Sequence, residues 1–192
     1  AVKDINGVYI PRPDDVLMTF SDYSEEHNAI GGRLEIHRVV DGKKVKLHGG
    51  FFSVTLGESR ARWWPCELEA FGCKVTLEFF ASYIRDNLNI TCHYTDSRPT
   101  VDAWNLSRKG AYSSSPRLSA FLSGLSTLSV EIKHKPGKEM WSTDFLSRNP
   151  KACDDQRCQI CIYVRKWKDI GENCQQIRAI SINDVSSGSV PM

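Results

Sequence analysis

The sequence predicts an α/β domain, and three observations carry that reading. Asp41-Gly42 sits between two strand-like runs, the hydrophobic period lengthens from two to about four after Pro65, and strand-like and helix-like segments then alternate to about residue 150. The expected order is β-β-β-α-β-α-α-β-α, with a lead-in segment over 1–15, the domain over 16–150 and a cysteine-containing tail over 151–192.

Val16, Leu17, Met18 and Phe20 supply the apolar run of the first strand, and Asp22 follows within two residues. "AIGGRLEIHRVV" and "VKLHGGFFSV" flank "DGKK", a strong local hairpin signal, so the chain opens on three antiparallel strands. In "WWPCELEAFGCKVTLEFFASYIRDN", Pro65 suits a first helical turn. Phe71, Val75 and Phe79 recur every four residues, and Leu68, Phe80 and Ile84 widen the stripe, so one long amphipathic helix is expected. "NITCHYTD" alternates Ile90, Cys92 and Tyr94 and ends in Asp96. "SRPTVDAWNLS" reads as a short helix. In "SSSPRLSAFLSGL", Ser115 caps, Pro116 starts, and Leu118, Phe121, Leu122 and Leu125 follow a helical face. "LSVEIKH" alternates again, Pro136-Gly137 breaks it, and "EMWSTDFLSR" is a closing helix that contains Asp144.

A chain of 192 residues is long enough for a full core, and 41% hydrophobic with 25% charged residues is an ordinary globular balance. A net charge of +2 neither requires nor excludes a nucleic-acid partner. No apolar run approaches the length of a membrane span, and the start at Ala1 suggests a piece cut from a longer polypeptide. Seven cysteines, four of them after residue 150, fit a reducing compartment with one metal site better than a disulfide framework.

Asp22 and Asp96 close two strands, and Glu67 opens the helix between them, where an open α/β sheet forms ligand sites. Glu67 lies on the Phe71, Val75, Phe79 stripe and is expected to face the sheet, with Glu69 pointing elsewhere; Asp144 completes the set. Four converging carboxylates repel one another unless divalent cations resolve the conflict. All-oxygen ligation suits Mg²⁺, and two ions roughly 4 Å apart are the arrangement for phosphodiester displacement.

"TFSDYS", "AIGGRL", "CELEAFG", "YTDS" and "HKPGKEMWSTDFLSR" resemble, in order and spacing, the ribonuclease H domain of reverse transcriptases. The closing block and "WWPCELEA" look most like long-terminal-repeat retrotransposons of the Pao/BEL or gypsy-like kind. The resemblance implies a ribonuclease H-like fold, a five-stranded mixed sheet of three antiparallel strands then two parallel ones, flanked by helices. It implies two-metal hydrolysis of the RNA strand of an RNA:DNA hybrid, with two Mg²⁺ ions that Mn²⁺ can replace. Asp22, Glu67, Asp96 and Asp144 take the places of the acidic tetrad, Glu67 by the E-L-x-A register, and His134 takes the place of the mobile histidine. The implied partners are the hybrid and a polymerase domain of the same polyprotein, with no membrane; the implied location is a cytoplasmic reverse-transcription particle, with the nucleus second. Ser24, Asn28, Arg62, Ser97 and Arg98 are candidates to reach sugar 2′-hydroxyls or phosphates. Trp63-Trp64 either stacks on nucleic acid or belongs to the core or an interdomain surface. Glu139-Met140, Thr143 and Arg98 depart from the family's common residues, the last where retroviral forms have glutamine. The rival readings are a non-catalytic connection domain of the same fold and an integrase-like member of the superfamily, whose D-D-E order this sequence does not follow.

The tail contains Cys153, Cys158, Cys161 and Cys174 in a C-x4-C-x2-C-x12-C pattern. Four thiols at that spacing suit a structural Zn²⁺, against unliganded thiols in a packed tail.

Overall fold

The computed structural model describes residues 8–57, 63–111, 113, 115–150, 153 and 155–170. Its strands are β1 (Val16–Ser24), β2 (Ala29–Val40), β3 (Lys43–Thr55), β4 (Thr91–Thr95) and β5 (Val130–His134). Its helices are α1 (Pro65–Phe79), α2 (Ala81–Arg85), α3 (Arg98–Arg108), α4 (Pro116–Ser123), α5 (Trp141–Arg148) and α6 (Gln159–Ile170). The sheet order is β3-β2-β1-β4-β5. β1, β2 and β3 are antiparallel, and β4 and β5 run parallel to β1, so the five-stranded mixed sheet of the ribonuclease H-like fold is the one observed.

Two adjacent glycines set how the helices lie on this sheet. Neighbouring residues of a strand face opposite sides. A Cβ on Gly31 would stand 2.6 Å from the Ser147 nitrogen and 2.7 Å from the Thr143 oxygen, both backbone atoms of α5. A Cβ on Gly32 would meet the Phe52 ring at 2.3 Å and the Thr76 hydroxyl of α1 at 2.7 Å. α5 and α1 therefore cover opposite faces, α5 with its backbone against Gly31 and α1 with the Thr76 side chain over Gly32. The register extends each face: Asp22, Gly31 and Ser53 align under α5, and Ser21, Gly32 and Phe52 align under α1. Ser53 fixes α5 further by donating to the Leu146 carbonyl at 2.7 Å.

The long helix expected over 63–87 is two helices, divided at Phe80, whose N–H returns to the Thr76 carbonyl. Phe80 is 2% exposed and sits against Phe52 and Phe79, so burying this ring turns the chain where an uninterrupted helix would carry it past the sheet. α1 is buried from Glu67 to Leu77 almost without interruption. Phe71 packs on Trp63 and on Phe121 of α4, so this ring faces a neighbouring helix, whereas Phe79 at the end of α1 meets Phe52 of β3. The sheet-facing row of α1 is Gly72, Cys73 and Thr76, small enough for close approach. α6 was not foreseen in the sequence; its Ile160 and Val164 join the core.

Two of the buried acids away from the C-terminal ends of β1 and β4 are held in ion pairs or networks. Asp15 receives both Nε and Nη2 of Arg38, at 2.8 and 2.7 Å, which holds its carboxyl below the usual range against the cost of burial. Burial would raise the Glu35 acid, but Lys46, His37 and Arg33 outweigh it and set it at about 2. His93 lies between the Thr19 and Ser21 hydroxyls at 2.9 and 3.0 Å, and burial lowers it to about 3, so it is neutral at physiological pH.

Gly31→Ala should destabilise the domain by about 1–3 kcal/mol, because the new methyl meets backbone that cannot rotate away. Urea denaturation of the two proteins checks this, and an unchanged midpoint would show that α5 does not depend on that contact.

Candidate functional site

β1 and β4 pair through Phe20 and Tyr94, and beyond that point each strand carries a carboxylate. Asp22 lies two residues before the end of β1, opposite Gly31 of β2. Asp96 follows β4 by one residue, and Gly137 approaches it so closely that a Cβ there would lie 2.9 Å from its Oδ2. The third carboxylate comes from α1, and it is Glu69. Asp22, Glu69 and Asp96 each offer an oxygen, and these oxygens all lie within 4.8 Å of one another. Asp22 is buried, Glu69 half-buried and Asp96 the most open.

Glu67, expected as the α1 member of this set, is elsewhere. Its Oε2 accepts from Arg117 Nη1 at 2.7 Å and from the Trp64 N–H at 3.0 Å, and its Oε1 accepts from the Ser115 hydroxyl at 2.8 Å. Glu67 thus caps α1 and ties it to the start of α4. The reason lies in the helix's rotation. The stripe through Glu67 and Phe71 faces α4, whereas Glu69 stands three and four residues before Gly72 and Cys73 on the row that meets the sheet.

Burial and mutual repulsion define the electrostatics. Burial pushes the Asp22 carboxyl up to about 6; the Ser147 hydroxyl, which donates to its Oδ2, works against that, and Asp96 and Asp144 add to it. The Glu69 carboxyl is driven well above its ordinary value by burial, then by Asp22 and Asp96, with the Tyr23 N–H offsetting part. Among the described residues its Oε2 is a buried atom with no hydrogen-bond partner. An unsatisfied carboxylate oxygen facing two further carboxylates fits a divalent cation with oxygen ligands.

The remaining expected residues divide. Asp144 stands outside the 4.8 Å group, and its Oδ1 accepts from Arg148 Nε at 2.7 Å one turn along α5. It lies near enough to raise Asp22. His134 ends β5, half-buried, paired in register with Thr95, the residue before Asp96. Asn28 is committed to the turn: its backbone is left-handed at φ 44°, its amide donates to the Leu56 carbonyl at 3.0 Å, and its Oδ1 accepts from the Tyr23 hydroxyl. Ser24 is engaged with His27, and Ser97 caps α3 by accepting from the Thr100 N–H. Arg98 is exposed at the first position of α3, two residues after Asp96 in the chain. Trp63 is core, and Trp64 is 72% exposed. Arg62 lies outside the described residues, as does Cys174.

No family model matches the chain, and no curated protein matches it significantly. Solved structures similar to it include the RNase H1 of the halophilic archaeon Halobacterium salinarum, at 15% identity and a TM-score of 0.45, covering 69% of this chain and 93% of that one. The foamy viral protease-reverse transcriptase, solved with double-stranded DNA, is similar at 14% identity and a TM-score of 0.43, covering 67% of this chain and 25% of that one. The foamy virus RNase H domain in solution matches at 16% identity and a TM-score of 0.38, covering 70% and 90%. Among the described residues, no helix is long and apolar enough to cross a membrane.

The folded protein binds the Asp22 proton more tightly than the unfolded chain does. The penalty for ionised Asp22 is therefore absent below about pH 4, builds between about 4 and 6, and is complete above 6. Asp22→Asn should stabilise the metal-free protein by about 2–3 kcal/mol at pH 7, with the difference vanishing towards pH 4. Denaturant titrations across that range check this; an Asn variant less stable than the parent at pH 7 would contradict the repulsion described.

Proposed function

We propose that this chain is a metal-dependent ribonuclease H that hydrolyses the RNA strand of RNA:DNA hybrids, working beside the polymerase domain of a retrotransposon reverse transcriptase of long-terminal-repeat type. The observation that carries the reading is the convergence of Asp22, Glu69 and Asp96 on one edge, with a buried Glu69 oxygen unpartnered. A scaffold gains nothing from gathering carboxylates that raise one another's pKa. The polyprotein context and a reverse-transcription particle as the place of action follow from the same reading.

Asp22, Glu69 and Asp96 would hold the divalent cation, Mg²⁺ or Mn²⁺, with Asp144 joining them once its exposed ion pair with Arg148 opens. When bound, a metal pair of this kind activates the attacking water and offsets charge on the leaving 3′ oxygen. Ser147 orients the Asp22 carboxylate by its hydroxyl, and Gly137 leaves room for Asp96. His134, paired in register with the residue before Asp96, would move a proton at the departing product. Arg98 supplies a guanidinium beside the edge for a backbone phosphate. Cleavage would leave 5′-phosphate and 3′-hydroxyl ends, and selection would rest on hybrid shape and 2′-hydroxyls.

A labelled hybrid incubated with Mg²⁺ or Mn²⁺ should be cut, and EDTA should stop the reaction. Glu69→Gln should lower cleavage more than about 100-fold, beyond the 10–100-fold typical of residues that only support a ligand. Glu67→Gln should retain cleavage in protein that stays folded and lose about 1–3 kcal/mol of stability, since it weakens the cap and the Arg117 pair. The opposite pattern would return Glu67 to the metal set. Absence of cleavage on any hybrid, even with the polymerase domain attached, would favour the connection-domain reading.

A further inference from the structure

Far from the carboxylate edge in sequence, three cysteines meet. Cys153, Cys158 and Cys161 each offer a sulfur, and the three sulfurs lie within 4.8 Å of one another. The backbone between them is built to hold them there. Cys158 N–H donates to the Asp155 carbonyl at 3.2 Å and Arg157 N–H to Asp155 Oδ1 at 2.8 Å, which closes a turn directly before α6. Ile162 N–H then donates to the Cys158 carbonyl at 3.0 Å, so Cys158 leads into the helix and Cys161, three residues on, shares its face. The Cys153 sulfur meets both of them there.

α6 is fastened to the rest of the domain beside the cluster. Ile160 and Val164 are 7% and 4% exposed within the core, and the Tyr163 hydroxyl donates to Glu78 of α1. Cys158 and Cys161 pack against the same core. Sulfurs at 2.3 Å around a tetrahedral zinc stand about 3.8 Å apart, so a trio already within 4.8 Å needs shifts of only about 1 Å. A disulfide would join two of the three and leave the third facing it.

We propose that Cys153, Cys158 and Cys161 bind a zinc ion that staples the turn before α6 to the first turn of that helix, as a structural site separate from the carboxylate edge. Three thiolates leave one corner of the tetrahedron to a further donor. Soft thiolates select zinc over Mg²⁺, so the two centres take different metals from the same solution.

The test uses the reduced full chain. Titration with Co²⁺ should give thiolate-to-cobalt charge-transfer absorption that saturates at one ion per chain, is abolished by added Zn²⁺, and is untouched by excess Mg²⁺. Cys158→Ser and Cys161→Ser should each lose the band, whereas Asp22→Asn should keep it. Zinc should raise the melting temperature of the parent by several degrees and leave the two serine variants unmoved. Should a serine variant fail to fold, chelation of the zinc-loaded parent gives the same answer by the fall in its melting temperature. A reduced parent without a charge-transfer band, a band undiminished in both serine variants, or a melting temperature indifferent to zinc would each overturn the site. None of these readouts depends on hybrid cleavage, so the zinc site and the ribonuclease reading stand or fall separately.

Discussion

Gly31 and Gly32 let two helices approach opposite faces of one strand, α5 to backbone contact and α1 through its Thr76 side chain, and the geometry of the carboxylate edge depends on that closeness. With α5 against Gly31, Ser147 reaches Asp22 and Asp144 comes within electrostatic range of it. With α1 near Gly32 through Thr76, its first turns are low enough on the sheet for Glu69 to reach the gap beyond Phe20 and Tyr94. A larger residue at either position would lift one helix and separate carboxylates that come from different elements.

The same closeness creates an electrostatic cost. Asp22 and Glu69 are drawn out of water and towards Asp96, and both acids respond by holding their protons more tightly. Elsewhere among the described residues the buried acids are paired: Asp15 has Arg38, Glu35 has three cationic partners, and Glu67 has Arg117. The contrast between satisfied acids throughout the domain and an unsatisfied set at one edge is what separates structural carboxylates from candidate ligands. A locally unfavourable set of this kind is what functional sites commonly carry.

Much of the local structure was legible because local signals govern it. The Asp-Gly hairpin, the Ser115-Pro116 start of α4, and the alternation of β4 and β5 are decided by turn chemistry and period, and each element is found where those signals lie. The break at Phe80 was not legible, because the apolar stripe continues across it and only the packing of that ring against Phe52 marks the turn. Ser97 and Asn28 were read as contacts for a ligand, since a polar side chain near a site looks the same in sequence whether it caps a helix, closes a turn or faces solvent.

The amino-acid sequence by itself determined the order of strands and helices and the places of Asp22 and Asp96 near the ends of two strands, because strand period and turn chemistry act over a few residues. Only the tertiary structure decided which glutamate of "CELEAFG" enters the site. α1 is buried on nearly every side, so hydrophobic periodicity cannot say which face meets the sheet. That is settled by size: the bulky Phe71 needs the space between helices, the small Gly72, Cys73 and Thr76 fit against the strands, and the helix turns until Glu69 faces Asp22 and Asp96 and Glu67 faces Arg117.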